Sequence, residues 1–199
     1  MNNSVPDKKD TQIAVLSIST ERLELIPATL AILTGDLRDR TALSRLLDAT
    51  IPASWPPPLM DKEVLTEFVR MRSENTDPLF TTWYWMLVDP VTGTRTLIGS
   101  GGIASTTTAT DTVVMGYSVL DEFQNRGYAT EAIRHLIPII FSLPGIRKIL
   151  ATTYPDLKPS IRVLEKNGFV CTGVCHEGEG IEEGTVAFIL ERQDFHPLK

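Results

Sequence analysis

The chain has 199 residues, of which 42% are apolar, and its formal net charge is -6. An acidic surface repels the phosphate backbone of nucleic acids, so we expect no nucleic-acid partner and favour one that carries an amine. No apolar run is long enough for a membrane span, and no signal peptide is evident, which predicts a cytoplasmic protein without a membrane partner. We expect a disordered leader over residues 1–12 and a single domain over residues 13–199.

The first part of the chain predicts one strand and three helices. Residues 22–26 alternate between polar and apolar side chains, which is typical of a strand. Apolar residues at helical spacing predict two helices between residues 28 and 47, separated at Gly35. Four prolines in residues 52–58 predict an extended loop, after which Asp61 is placed to cap a third helix.

The second part predicts six more strands and two more helices. In chain order these are strands over 82–88, 97–105 and 112–120, a helix over 128–143, a strand over 148–153, a helix over 160–167, and strands over 169–175 and 185–191. Short connections make the first three of these strands neighbours. The whole order predicts an α/β protein whose mixed sheet of about seven strands is flanked by helices.

The segment that enters the long helix has the residues of a phosphate-binding turn. The first backbone N–H groups of a helix have no partner inside the helix and carry the positive end of its dipole. Gly127 lets a ligand approach the backbone, Ala129 keeps the next turn small, and Arg126 adds a full positive charge. We expect a pyrophosphate to bind here. The alternative is a tight turn in which Gly127 serves the backbone geometry alone.

Two motifs in this region resemble a known family. The pattern Gln124-x-x-Gly127-x-Ala129 resembles the Q/R-x-x-G-x-G/A signature of the GNAT N-acetyltransferases, and residues 160–169 resemble the second signature of that family. The motifs stand in the family's order and at its separation, and the resemblance covers about residues 20–192. The sequence looks most like the RimJ/RimL-like branch, the ribosomal-protein-alanine acetyltransferases. The resemblance implies the GNAT fold, in which the sheet is splayed at the cofactor site.

The resemblance also implies acetyl-CoA as the acetyl donor. No metal ion is expected, because the three histidines lack the spacing of metal ligands. In the family, backbone groups at the position of Val119 contact the pantetheine arm, and the turn before the long helix holds the pyrophosphate. The residues that the resemblance assigns to the cofactor are Val119, Leu120, Gln124, Arg126, Gly127, Tyr128, Ala129 and Thr130. A free amine would attack the acetyl group directly, without a covalent enzyme intermediate.

The catalytic residue implied by the resemblance is Ser160. Many GNAT enzymes protonate the departing thiolate with a tyrosine of the second motif, but that position here is Leu164. The RimJ/RimL-like branch is expected to use a serine instead, and Ser160 matches it. Ser160 could also serve as the N-cap of its helix. The asparagine that usually contacts the pantetheine is replaced by Leu157.

The acceptor side carries less information. Trp55, in the proline-rich loop, is a candidate for the substrate pocket. Glu177 is a second candidate, although its residue type and loop favour a solvated surface charge over a site role. Trp83 and Trp85 share one strand face and are assigned to the core. The predicted function is acetyl transfer to a primary amine of a protein N-terminus or a small molecule. The alternative is a catalytically weak CoA-binding sensor or partner-binding module. Homodimers are common among similar proteins.

Overall fold

The computed structural model describes residues 16–58, 60–75, 77–106, 109–174 and 184–195. The strands are β1 (Ile18–Ser19), β2 (Leu23–Pro27), β3 (Thr82–Val88), β4 (Arg95–Ser105), β5 (Thr112–Val119), β6 (Lys148–Thr153), β7 (Val170–Val174) and β8 (Val186–Glu191). The α-helices are α1 (Leu30–Arg38), α2 (Arg40–Leu47), α3 (Lys62–Glu74), α4 (Tyr128–Ser142) and α5 (Lys158–Lys166). None of the helices among these residues has the length and apolar character needed to cross a membrane.

The chain divides into two compact units. Among the described residues, the first unit contains those up to Ser100 together with 118–120, and the second contains those of 101–117 and those from 121 onward. The expected leader over 1–12 lies outside the described residues, and the single domain over 13–199 stays a prediction.

In the first unit the strands follow the order β1-β2-β3-β4. Strand β2 pairs antiparallel with β3, and Leu25 is the partner of Trp85. The side chains of Leu25, Tyr84 and Trp85 are completely buried, and Trp83 is nearly so. The assignment of Trp83 and Trp85 to the core is therefore confirmed, because apolar area of this size stabilises a core when it is removed from water.

The predicted break between the first two helices at Gly35 is wrong. Gly35 lies inside α1, where a Cβ would come within 3.2 Å of the Leu46 side chain. A glycine here allows α1 to pack closely against α2. The chain breaks instead at Asp39, whose carboxylate accepts a hydrogen bond from the Thr41 N–H and caps α2. The expected capping of the third helix by Asp61 is confirmed, since Asp61 accepts from the N–H groups of Glu63 and Val64.

In the second unit the strands follow the order β4-β5-β6-β8-β7. Strands β5 and β6 are parallel, and α4 supplies the crossover between them that a parallel pair requires. Strand β8 pairs antiparallel with both β6 and β7. The predicted α/β class with a mixed sheet is confirmed, and the described residues form eight strands rather than about seven.

The pairing between β5 and β6 covers only part of both strands. It joins Thr112–Val114 to Lys148–Leu150, whereas β5 continues to Val119 and β6 to Thr153. The two parallel strands therefore part beyond Val114, as the resemblance implies for this fold. Beyond Val114, β5 and β6 are therefore not joined by backbone hydrogen bonds, and side chains of β5 can make contacts on that side instead.

Candidate functional site

The turn before α4 has a backbone that favours glycine. Residues 124–127 are exposed, and Gly127 is the N-cap of α4 with φ 84° and ψ 2°, in the left-handed region. A side chain at that φ would be strained, so glycine is the favoured residue. Asn125 also has a positive φ, of 58°, which asparagine tolerates better than most residues. The sequence motif therefore corresponds to a specific backbone path.

The start of α4 presents backbone amides toward this turn. Gly127 has no side chain to cap the helix. The first backbone hydrogen bond of the helix runs from the Glu131 N–H to the Gly127 carbonyl oxygen, at 3.0 Å. The N–H groups of residues 128–130 come before that first hydrogen bond, so they have no acceptor within the helix. These three residues are half-buried, and Arg126 beside them is exposed. The turn thus offers the amides, the helix dipole and the cation that an anionic pyrophosphate requires.

The turn is held in place by two side-chain amides. Gln124 donates from Nε2 to Asp121 Oδ1 at 2.8 Å, which closes the turn on itself. Asn167 donates from Nδ2 to the Val163 carbonyl at 2.8 Å and lies 3.4 Å from the Thr130 carbonyl. Asn167 therefore joins the end of α5 to the first turn of α4. Asn167 lies within the second motif, and the sequence alone predicts no role for its side chain.

Ser160 does not cap its helix. Helix α5 begins at Lys158, two residues earlier than predicted, and its N-cap is Leu157, which makes no side-chain cap. Ser160 is therefore the third helical residue, and the N-cap alternative is wrong. Pro159 explains the early start, because proline fits the first turn of a helix, where no intrahelical N–H donor is needed.

The Ser160 hydroxyl instead forms a pair with a tyrosine of β5. Tyr117 Oη lies 3.0 Å from Ser160 Oγ and 3.1 Å from the Ser160 carbonyl oxygen. Both side chains are half-buried. Burial raises the pKa of Tyr117 to about 12, although the hydrogen bond with Ser160 acts in the opposite direction. Tyr117 was not predicted as a site residue. Its signal was the strand alternation, which places it on the face of the buried Val113 and Met115.

Val119 and Leu120 belong to the first unit, where both are buried. The Leu120 N–H donates to the Ile98 carbonyl at 2.9 Å. A Cβ on Gly99 would stand 2.6 Å from the Ser118 carbonyl oxygen, so this glycine permits a close backbone approach. The assignment of Val119 and Leu120 to the cofactor stays a prediction.

Of the two acceptor-side candidates, Trp55 and Glu177, the structure describes only Trp55. Trp55 is only 3% exposed, and its Nε1 donates to Asp36 Oδ1 at 2.8 Å. Its ring meets Tyr84 edge-on, with the ring centroids 5.6 Å apart. Its place in a substrate pocket stays a prediction. Glu177 lies outside the described residues. Within the described ranges, no group of three His, Cys, Asp or Glu side chains is arranged to hold a metal ion.

Comparison with known proteins identifies the family. Residues 22–170 match the family model described as the acetyltransferase (GNAT) domain. The uncharacterized N-acetyltransferase YoaA of Bacillus subtilis is 31% identical over 84 residues, which are 42% of this chain and 48% of YoaA. The chain therefore spans about half the length of this curated relative.

Two solved structures share the fold. The ribosomal-protein-S5-alanine acetyltransferase from Vibrio fischeri is 22% identical with a TM-score of 0.57, over 92% of this chain and 100% of that one. Mycobacterium smegmatis RimJ in complex with CoA-disulfide is 21% identical with a TM-score of 0.57, over 86% of this chain and 82% of that one. The predicted enzyme class, an acyltransferase that uses acetyl-CoA, is confirmed at the level of the family. Because the family model matches more than half of the sequence, the chain belongs to the GNAT family of acetyltransferases.

Proposed function

We propose that this protein moves an acetyl group from acetyl-CoA to a primary amine in the cytoplasm. The observation that carries the proposal is the glycine-capped start of α4, which follows the strand that parts from β6. An exposed turn, a left-handed glycine and a helix N-terminus together suit a pyrophosphate. The residues present therefore fit the cofactor that the family uses.

Acetyl-CoA, when bound, supplies the acetyl group as a thioester. In this proposal the amides of Tyr128, Ala129 and Thr130 bind the pyrophosphate, and Arg126 neutralises part of its charge. Gln124 braces the turn through Asp121, and Gly127 keeps the approach to the amides open. Val119 remains assigned to the pantetheine arm, and Leu120 remains assigned to the cofactor.

Ser160 is the residue proposed to interact with the leaving sulfur. Ser160 is half-buried, and its hydroxyl is not used to cap α5. The usual asparagine three residues earlier is Leu157, whose side chain is 45% exposed. A leucine offers no hydrogen bond to a pantetheine amide, so the chain makes one polar cofactor contact fewer than the family pattern.

A protein N-terminus is the first acceptor to test, and a small-molecule amine is the second. The first choice follows from the two structural neighbours, a ribosomal-protein-S5-alanine acetyltransferase and RimJ. The net charge of -6 favours either class, because both acceptors are cationic before they react. Trp55 and Glu177 stay candidates for the acceptor side, and a homodimer stays the proposed assembly.

The pyrophosphate assignment is tested by Gly127→Glu. The new carboxylate repels the pyrophosphate, so the affinity for acetyl-CoA in calorimetry should fall by about a hundredfold or more. Gly145→Glu is the matched control, because Gly145 has a similar φ of 79° and open space around its Cα. The control carries the same charge and the same backbone strain. Equal acetyl-CoA affinities in the two variants would contradict the assignment.

The acceptor is tested by CoA release. Peptides with different N-terminal residues, free polyamines and aminoglycoside-like amines would each be supplied with acetyl-CoA, and release above hydrolysis would be measured. A peptide that raises the rate supports a protein N-terminus, and a small amine that alone does so supports the second class. If no amine is consumed while acetyl-CoA still binds, the transfer reaction itself is contradicted.

A further inference from the structure

The hydroxyl pair of Tyr117 and Ser160 lies where β5 and β6 have parted. Tyr117 is three residues beyond Val114, the last residue of β5 that pairs with β6. Ser160 is on α5, the helix that follows β6 along the chain. A side-chain hydrogen bond of 3.0 Å therefore links β5 to the helix that follows β6, beyond the point where the backbone pairing of β5 and β6 ends. The pair fixes the position of the hydroxyl that the proposed function uses.

The number of protons in this pair allows two arrangements. Tyr117 has one O–H and two acceptors within reach, the carbonyl oxygen and Oγ of Ser160. If Tyr117 donates to the carbonyl oxygen, Ser160 donates to Tyr117 and both protons are used within the pair. If Tyr117 donates to Oγ, the Ser160 proton is released for a third group. The arrangements differ by rotation of two O–H bonds, and no heavy atom has to move.

We propose that Tyr117 is a positioning residue that switches Ser160 between these arrangements. When the thiolate of CoA forms, Tyr117 donates to Ser160 Oγ, and Ser160 donates its hydrogen bond to the sulfur. A hydrogen bond to an anion is about twice as strong as a neutral one, so the sulfur competes successfully for the Ser160 proton. This inference rests on the proposed function, in which Ser160 meets the leaving sulfur.

In this proposal the pair keeps its protons. The bond between the amine nitrogen and the acetyl carbon forms, the bond from that carbon to sulfur breaks, and its electron pair stays on sulfur. The two protons lost by the ammonium nitrogen pass to water. A thiol has a pKa of about 8.5, whereas that of Tyr117 is about 12. Transfer of the Tyr117 proton to the thiolate would therefore be unfavourable by roughly a thousandfold or more. The pair acts as a hydrogen-bond donor, not as an acid.

The test is the ionisation of the thiol of bound CoA, followed by thiolate absorbance across pH. We would compare the wild type with Ser160→Ala, Tyr117→Phe and the double variant. Ser160→Ala should lower the ionisation constant of the bound thiol about tenfold, because a hydrogen bond to an anion is lost. Tyr117→Phe should lower it by a smaller factor of about three, and the double variant should match Ser160→Ala alone.

Each outcome separates this inference from the proposed function. If Ser160→Ala lowers the constant and Tyr117→Phe leaves it unchanged, Ser160 keeps its role and the positioning role of Tyr117 is wrong. Effects that add in the double variant would also overturn that role. If Ser160→Ala itself has no effect, Ser160 does not meet the sulfur, and the proposed function loses its catalytic residue as well. Ser142→Ala is the control, because that hydroxyl bonds to its own helix at Ile139. Circular dichroism would confirm that the variants fold.

Discussion

Each unit contains a tyrosine whose hydroxyl forms a hydrogen bond with a polar side chain, but the two partners differ in chemistry. In the first unit, Tyr84 is completely buried and its Oη donates to Asp36 Oδ2 at 2.5 Å. Trp55 donates to the other oxygen of the same carboxylate. In the second unit, Tyr117 is half-buried and its partner is the neutral hydroxyl of Ser160. One phenol meets a carboxylate that accepts on both oxygens, and the other meets a group that can give or take a proton.

The difference teaches what each cluster can do. A carboxylate only accepts, so the donors Tyr84 and Trp55 have one arrangement and hold the proline-rich loop in place. Arg40 adds to this by donating to the carbonyl oxygens of Pro52 and Trp55 in that loop. A pair of hydroxyls has two arrangements of similar energy. We therefore interpret the Asp36 cluster as structural and the Tyr117 pair as adjustable.

The largest expected effect is that of Asp36→Ala. Two buried donors, Tyr84 Oη and Trp55 Nε1, would lose their acceptor, so the free energy of unfolding should fall by about 3 kcal/mol. Urea unfolding measures this. Tyr117→Phe is the comparison variant, and it should cost no more than about 1 kcal/mol. Equal losses in the two variants would show that both clusters are structural.

Tyr84→Phe should have the next largest effect. The ring and its packing remain, but Asp36 loses one of its two side-chain donors while still half-buried. We expect a loss of about 1–2 kcal/mol, more than for Tyr117→Phe, because the lost hydrogen bond is charge-assisted. Thermal unfolding of both variants in one buffer gives the comparison. A smaller loss for Tyr84→Phe would contradict the ranking.

The pH dependence of Asp36 should have an unusual sign. Burial raises the pKa of Asp36, although hydrogen bonds from Tyr84 and Trp55 lower it in part. A carboxyl whose pKa is higher in the folded state binds its proton more tightly there, so its contribution to stability grows as the pH falls through the raised pKa toward the ordinary value of 3.8. The stability of the wild type relative to Asp36→Asn should therefore increase on acidification. Urea unfolding at pH 7 and at about pH 4 checks this, and a relative decrease would contradict the raised pKa.

The smallest expected effect comes from Thr153→Val in the second unit. Among the described residues, the buried Thr153 hydroxyl has no hydrogen-bond partner, so its removal should leave stability unchanged or raise it by up to about 1 kcal/mol. Thr81→Val in the first unit is the matched control. The buried Thr81 hydroxyl donates to the Ala28 carbonyl at 3.1 Å, so this variant should lose about 1 kcal/mol. Thermal unfolding distinguishes the two, and a loss at Thr153 would reveal a partner for its hydroxyl.

Much of the fold was predictable because its signals are local. Strand β6 was predicted at its observed bounds, and α4 within one residue of its end. Asp61 was predicted as a cap because a cap involves only its own helix. The errors came from residues whose role depends on packing. Gly35 looked like a helix break, but it is the small residue that lets α1 approach Leu46.

The sequence by itself determined the turn before α4 and the family to which the chain belongs. Gly127 and its motif are contiguous in the chain, so the left-handed backbone of this turn can be predicted from neighbouring residues alone. Only the tertiary structure decided the partners of Ser160 and Trp55. Tyr117 is 43 residues from Ser160, and Asp36 is 19 residues from Trp55. Partners so distant in the chain leave no periodic signal, because their approach depends on how strands and helices pack.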